Sequence, residues 1–275
     1  MKKRSIILTL LLVLTLFFAG CNSTDTGNDA NNDISEKPVV EESNEKGVTV
    51  NISAAASLSE ALTEIQTEYA KENNDTLQFN FAGSGSLQKQ IQEGAPCDLF
   101  VSASKAHMDA LEEAGLIDTE SRKDMLGNTL TLIASEEKAD VIKGTDSLAS
   151  ANVESISIGE PETVPAGKYA QQSFESLGIT DKIKDKIVLA KDVKQVLEYV
   201  ETGNVDFGLV YKSDAILLQT GGIVADMPAD SHDPIVYPVA LIKDGKQLEA
   251  AADFYEFLQT DYAKGVFEKY GFVIL

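Results

Sequence analysis

From residue 48 onward the chain alternates short apolar runs with stretches of helical periodicity, and few architectures accept that order. Strands are expected at 48–52, 77–81, 98–102, 130–134, 155–158, 187–190, 207–211 and 236–241. Between them, Leu58, Leu62, Ile65 and Tyr69 recur at the three- and four-residue spacing of one helix face, and Val193, Val196, Leu197 and Val200 do so again. Alternation of this kind implies an α/β fold with mixed, mostly parallel sheets flanked by helices. Two sets of such units flank Leu126, Gly127 and Asn128, where a helical segment is expected to give way to a strand beginning at Thr129. Two lobes are therefore expected, 48–127 with 234–275 and 128–233. The helices around Phe254, Tyr255, Phe257, Leu258 and Phe267 return to the first.

The N-terminus follows a different rule. An apolar run at 6–19 follows Lys2, Lys3 and Arg4 and falls short of the ~20 residues that span a bilayer, so residues 1–20 read as a secretory signal. It ends in Phe18-Ala19-Gly20-Cys21, which resembles the lipobox of bacterial lipoproteins, although Phe18 stands where leucine is usual and Leu16 lies two residues earlier. Cys21 would then be the lipidated first residue of an exported chain held on the outer face of the cytoplasmic membrane. Residues 21–47 are dominated by Asn, Asp, Ser, Thr and Glu and carry too little apolar surface to fold, as befits a tether.

Several functions are excluded by what the chain lacks. A formal net charge of −21 leaves no basic face for nucleic acid. Beyond Cys21 the one remaining cysteine is Cys97, so the domain forms no internal disulfide; beside Leu99, Phe100 and Val101 it reads as a small buried hydrophobe. The two histidines, His107 and His232, have no partner at metal-ligand spacing. No Gly-x-Ser-x-Gly elbow supports a hydrolase, and Gly83-Ser84-Gly85 lacks the Gly-Lys-Ser/Thr ending of a nucleotide loop. No enzyme and no cofactor is expected.

The informative residues sit where strands run into helices. Ser57 follows the first strand, with Glu60 at capping-box spacing. Gly83-Ser84-Gly85-Ser86 follows the second. Pro165 suits the opening of a helix in Val164-Pro165-Ala166-Gly167, because its missing N–H has no partner to lose there. Asp192 is placed to cap the helix beginning at Val193. Each such junction offers unpaired N–H donors and a partial positive charge, and in open α/β sheets these junctions converge on the crevice beyond the strand ends. An anion with many acceptor oxygens fits there, although capped junctions also occur throughout α/β proteins that bind nothing at them.

A resemblance narrows the choice. Ala54-Ala55-Ala56-Ser57-Leu58, Phe81-Ala82-Gly83-Ser84-Gly85-Ser86-Leu87, Pro96-Cys97-Asp98-Leu99-Phe100, Pro165-Ala166-Gly167-Lys168-Tyr169, Asp192-Val193 and Gly208-Leu209-Val210-Tyr211-Lys212-Ser213-Asp214 are similar, in order, to the motifs of the periplasmic molybdate-binding proteins of ABC importers. The resemblance implies a type II periplasmic-binding-protein fold with the ligand cleft between two lobes. It also implies a molybdate or tungstate dianion as ligand, a monomer, and delivery to an importer permease with its ATPase. It places the contacts on Ser57 and Ser84 through hydroxyl and main-chain N–H, on Ala166 and Val193 through main-chain N–H alone, and on the Tyr211 hydroxyl. Molybdenum would be bound as molybdate, with no side chain on the metal. Where relatives have a run of serines this chain has Gly83-Ser84-Gly85-Ser86, so Ser86 could replace or assist Ser84. The rivals are a binding protein for sulfate or for tungstate alone, and a secreted hydrolase with Ser57 or Ser84 as nucleophile but no base.

Overall fold

The computed structural model describes residues 47–275; the expected signal, Cys21 and all of the tether before Gly47 lie outside the described residues. The chain first lays down β1 (Thr49–Ala55), α1 (Ser59–Tyr69), β2 (Thr76–Ala82), α2 (Ser84–Gln92), β3 (Leu99–Val101), α3 (Lys105–Glu113) and β4 (Lys123–Gly127). After Asn128 and Thr129 come β5 (Leu130–Ala134), β6 (Ile156–Gly159), α4 (Pro165–Ser176), α5 (Thr180–Ile183), β7 (Ile187–Ala190), α6 (Val193–Glu201), β8 (Phe207–Tyr211), α7 (Lys212–Ala215) and β9 (Gly222–Asp226). The chain then returns through β10 (Val236–Leu241), α8 (Leu248–Phe257), α9 (Asp261–Lys269) and β11 (Val273–Ile274).

These strands form two sheets, ordered β11-β4-β10-β3-β1-β2 and β7-β6-β8-β5-β9, each carrying its own helices. The alternating units supply the parallel pairs β1 with β2 and β3, and β6 with β7 and β8. The strands flanking the two crossings pair antiparallel: β10 with β3 and β4, and β5 with β8 and β9. The sheets are thus mixed, and the antiparallel share exceeds what alternation alone conveys. The expected helical segment before Gly127 is instead β4, because Met125 and Leu126 are buried in pairing with β10 and β11, more than a hundred residues downstream. Such long-range pairing overrides local periodicity.

The two predicted apolar helix faces are buried. On α1, Leu62, Ile65 and Tyr69 face the core, with the Tyr69 ring edge-on to Phe254 and Phe257 at 5.2 Å each. On α6, Val193, Val196, Leu197 and Val200 pack against the second sheet. A smaller cluster, including Leu87, Phe100, Met108 and Leu111, fills the space beneath α2 and α3, and Cys97 is buried in it. Strand ends, rather than strand middles, are then what the two lobes present to each other.

Candidate functional site between the lobes

Four strand-to-helix junctions meet at one small cavity. It is lined by Ala55, Ala56 and Ser57 after β1, by Ala82, Gly83 and Ser84 after β2, by Val164 and Pro165 at the start of α4, and by Asp192 and Val193 at the start of α6, with Ala103 and Tyr211 completing the wall. At about 10 Å³ for the centre of a water-sized sphere it has room for roughly one water-sized species, far below the roughly 300–1,000 Å³ of organic-ligand pockets. A wider hollow of about 370 Å³ beside α1 is open to solvent, and the carboxylates that line it, Glu60 and Glu64, are paired with Lys194 and Lys269.

Each junction positions donors by a local rule. Pro165 opens α4, and Gly167 lets that first turn sit on the end of β6, where an added Cβ would fall 1.8 Å from the Gly159 carbonyl oxygen. Ala166 is fully buried there as the second residue of the helix, so its N–H has no intrahelical acceptor. Asp192 caps α6 as expected, its Oδ1 accepting from the Gln195 N–H at 2.9 Å. That leaves the N–H of buried Val193 at the helix start.

Ser57 departs from expectation. It does not cap α1: residues Ala56–Leu58 form a 3₁₀ turn, α1 begins at Ser59, and the Ser57 hydroxyl is 2.9 Å from the Tyr237 hydroxyl. Glu60 does not complete a capping box either. It reaches across to the second lobe, where Lys194 Nζ lies 2.5 Å from Glu60 and 2.9 Å from the fully buried Asp214. A tertiary partner outcompetes the local cap in both cases.

Ser84 lies on the cavity wall as the first residue of α2, fully buried, and its hydroxyl oxygen accepts from the Ala103 N–H at 2.9 Å. Because an N–H can only donate, the Ser84 hydroxyl hydrogen is left to point elsewhere. Ser86 is half-buried and is not part of the cavity wall. Tyr211 is buried to 1% exposure and its hydroxyl has no hydrogen-bond partner among the described residues. Burial above all, then Tyr237, Tyr169 and Asp214 nearby, holds that hydroxyl well above the usual tyrosine pKa, so it is a donor at neutral pH. An unpaired buried hydroxyl costs about 1–3 kcal/mol. Its presence in a cavity wall marks a place built for an acceptor.

No Lys or Arg lines the cavity; its one charged side chain, Asp192, is engaged in capping. The lobes are closed on it: Gly85 N–H donates to the Thr163 carbonyl at 2.9 Å, joining the start of α2 to the loop before α4. His107 and His232 are not among the lining residues, and among the described residues no group of His, Cys, Asp and Glu has metal-binding geometry.

Comparison with known proteins agrees with this geometry. Residues 50–273 match the family model described as bacterial extracellular solute-binding protein. The chain belongs to that family. A Bacillus subtilis relative named putative ABC transporter substrate-binding lipoprotein YvgL is 44% identical over 98% of both chains. The molybdate-binding protein ModA of Haemophilus influenzae is 41% identical, over 81% of this chain and 89% of that one. A solved structure, the substrate-binding domain of a putative molybdenum ABC transporter from Clostridium difficile, is 44% identical, with a TM-score of 0.65 over 83% of this chain and all of that one.

Of the five positions singled out from sequence, Ser57, Ser84, Val193 and Tyr211 line the cavity, and Ala166 lies buried one residue beyond Pro165. Sequence reasoning missed Tyr237, Asn128 and Ala103, which touch the serines or their partners. Ser57 and Tyr237 are 180 residues apart, and no local pattern links them.

Proposed function

We propose that this chain is the extracytoplasmic binding component of an ABC importer for molybdate, with tungstate as an equivalent ligand. The observation that carries the reading is a small cavity at which four helix starts meet, lined by no Lys or Arg and holding an orphaned tyrosine hydroxyl. The oxyanion would be held by the hydroxyls of Ser57, Ser84 and Tyr211 and by main-chain N–H groups of Ser57, Ser84, Ala166 and Val193. Hydrogen bonds to a dianion are charge-assisted and gain strength in such a buried site. The acidic surface is compatible with this, because exposed charges beyond roughly 8 Å are screened at physiological salt. Relatives whose names state molybdate binding or molybdenum transport support the choice of ion.

Ligand contacts on both sheets would favour the closed arrangement through differential binding. The domain assignment accompanying this reading is a signal at 1–20, lipidated Cys21 with a tether to 47, one lobe of 48–127 with 234–275, and a second of 128–233. The mature protein would sit as a monomer on the outer face of the cytoplasmic membrane and hand its anion to the permease. The test is a thermal-shift and calorimetric series with molybdate, tungstate, sulfate and phosphate. Molybdate and tungstate should raise the melting temperature by mass action and sulfate much less; no shift with molybdate, or equal affinity for sulfate, refutes the assignment.

A further inference from the structure

Binding a fully deprotonated anion through a serine requires the hydroxyl to donate into the cavity, yet a serine hydroxyl also accepts and rotates freely. For Ser84 the Ala103 N–H occupies one acceptor lone pair and leaves the hydroxyl hydrogen free for the cavity. Ser57 has no main-chain donor in that role; its neighbour is the Tyr237 hydroxyl, which by itself could give or take the proton.

The direction is decided one residue further back. Asn128, in the crossing between β4 and β5, accepts the Thr129 N–H on Oδ1 at 2.8 Å, and this orients its amide. Its Nδ2, which can only donate, then faces Ser213 Oγ at 2.9 Å and the Tyr237 oxygen at 3.3 Å. Tyr237 is fully buried, and among the described residues its hydroxyl is hydrogen-bonded to Asn128 and Ser57, while the Tyr211 hydroxyl lies nearby without a bond to it. With its oxygen accepting from Asn128, its proton has one acceptor within bonding distance, Ser57 Oγ. The Ser57 hydrogen is thereby left for the cavity. Were Ser57 to donate to Tyr237 instead, the tyrosine proton would be buried without an acceptor, which is the costly arrangement.

We infer that Asn128 and Tyr237 are positioning residues that polarise a hydrogen-bond relay, Asn128 to Tyr237 to Ser57, so that Ser57 is held as a donor toward the oxyanion. The inference rests on the proposed oxyanion function. Its consequence is selectivity: with the Ser57 and Ser84 hydrogens both directed to the cavity, a fully deprotonated anion gains a donor from each, whereas the proton of hydrogenphosphate occupies one of the oxygens those donors need. Because Asn128 and Ser213 belong to the crossing and the second lobe while Ser57 belongs to the first, the relay is complete only while these segments hold together.

The test is a double-mutant cycle of Ser57→Ala and Tyr237→Phe, read by calorimetry with molybdate and phosphate. Tyr237→Phe keeps the ring that packs edge-on against Tyr211 and Phe272, at 5.7 and 5.4 Å between centroids. It should weaken molybdate binding about tenfold in the wild-type background, the effect of one ordered hydrogen bond. In the Ser57→Ala background it should weaken binding less than about twofold, because nothing remains to be oriented. The ratio of molybdate to phosphate affinity should fall in Tyr237→Phe alone. An equal loss in both backgrounds marks a purely structural tyrosine and overturns the relay, as does no loss in either. Asn128→Ala, which leaves every ring in place, should couple to Ser57→Ala in the same way if Tyr237→Phe does not fold. A wild-type protein that binds no oxyanion overturns the function itself, an outcome distinct from wild-type binding without coupling.

Discussion

Gly83→Ala separates lobe closure from everything else the chain does. Gly83 precedes α2 at φ −60° and ψ 135°, a conformation alanine adopts without strain. The three atoms an added Cβ would meet first all belong to the opposite lobe: the Thr163 carbonyl oxygen at 2.7 Å, Val164 Cγ2 at 3.0 Å and the Lys191 carbonyl oxygen at 3.2 Å. Two of these are main-chain atoms, so no side-chain rotation relieves the contact. The lobes must retreat by roughly 0.7 Å to restore ordinary van der Waals separation from Thr163. That stretches the neighbouring 2.9 Å bond from Gly85 N–H to Thr163 beyond hydrogen-bonding range. The lost bond costs about 1 kcal/mol and residual overpacking about 1–3 kcal/mol. Together these weaken oxyanion binding by roughly 30- to 1,000-fold. Each lobe is untouched when the cleft is open, so the melting temperature without ligand should change little. Calorimetry with molybdate and a ligand-free melting curve suffice as the assay. Wild-type affinity in Gly83→Ala would refute the claim that this closed interface is the binding-competent one.

Two further substitutions follow from the same site. Tyr211→Phe deletes a hydroxyl that has no protein partner in the closed arrangement, so it should weaken molybdate binding while leaving the ligand-free melting temperature close to that of the wild type. A fall in both quantities would mean the hydroxyl is satisfied by the protein itself. Burial raises the Glu60 carboxyl pKa, but the hydrogen bond and charge of Lys194 outweigh it and hold the group below its usual value. A depressed carboxylate contributes to closure above its ordinary pKa and loses that contribution as pH falls through the lowered value. The ratio of wild-type to Glu60→Gln affinity for one anion, which cancels the protonation of the anion, should therefore exceed one near pH 7 and approach one as pH falls through the lowered carboxyl pKa. A ratio independent of pH would show that the Glu60–Lys194 pair plays no part in binding.

How much of this was legible beforehand depends on whether the physics is local. The strands at 130–134, 187–190, 207–211 and 236–241 were read from sequence with their observed bounds, because each is a short apolar run closed by polar or helix-starting residues. The α6 face and its Asp192 cap were equally legible, since a cap and its acceptor lie three residues apart. The mixed α/β class with two lobes followed from the same alternation. The segments 123–127, 222–226 and 273–274 were not read as strands, because each exists only by pairing antiparallel with a distant partner.

At the site the division is sharper. The residue order determined that four helix starts follow four strand ends, and hence that donors without intrahelical partners would be available. It could not rank those junctions, and Ala166 and Val193 came to attention only through resemblance, because a main-chain N–H leaves no mark on residue type. Only the tertiary structure brought the junctions to one cavity, left the Tyr211 hydroxyl unpaired, and turned Ser57 from an expected helix cap into the partner of Tyr237. The reason is physical: a capping box is specified within four residues, whereas the direction of a hydrogen bond into the cleft is set by groups at 57, 128 and 237 that meet only when both crossings between the lobes are made.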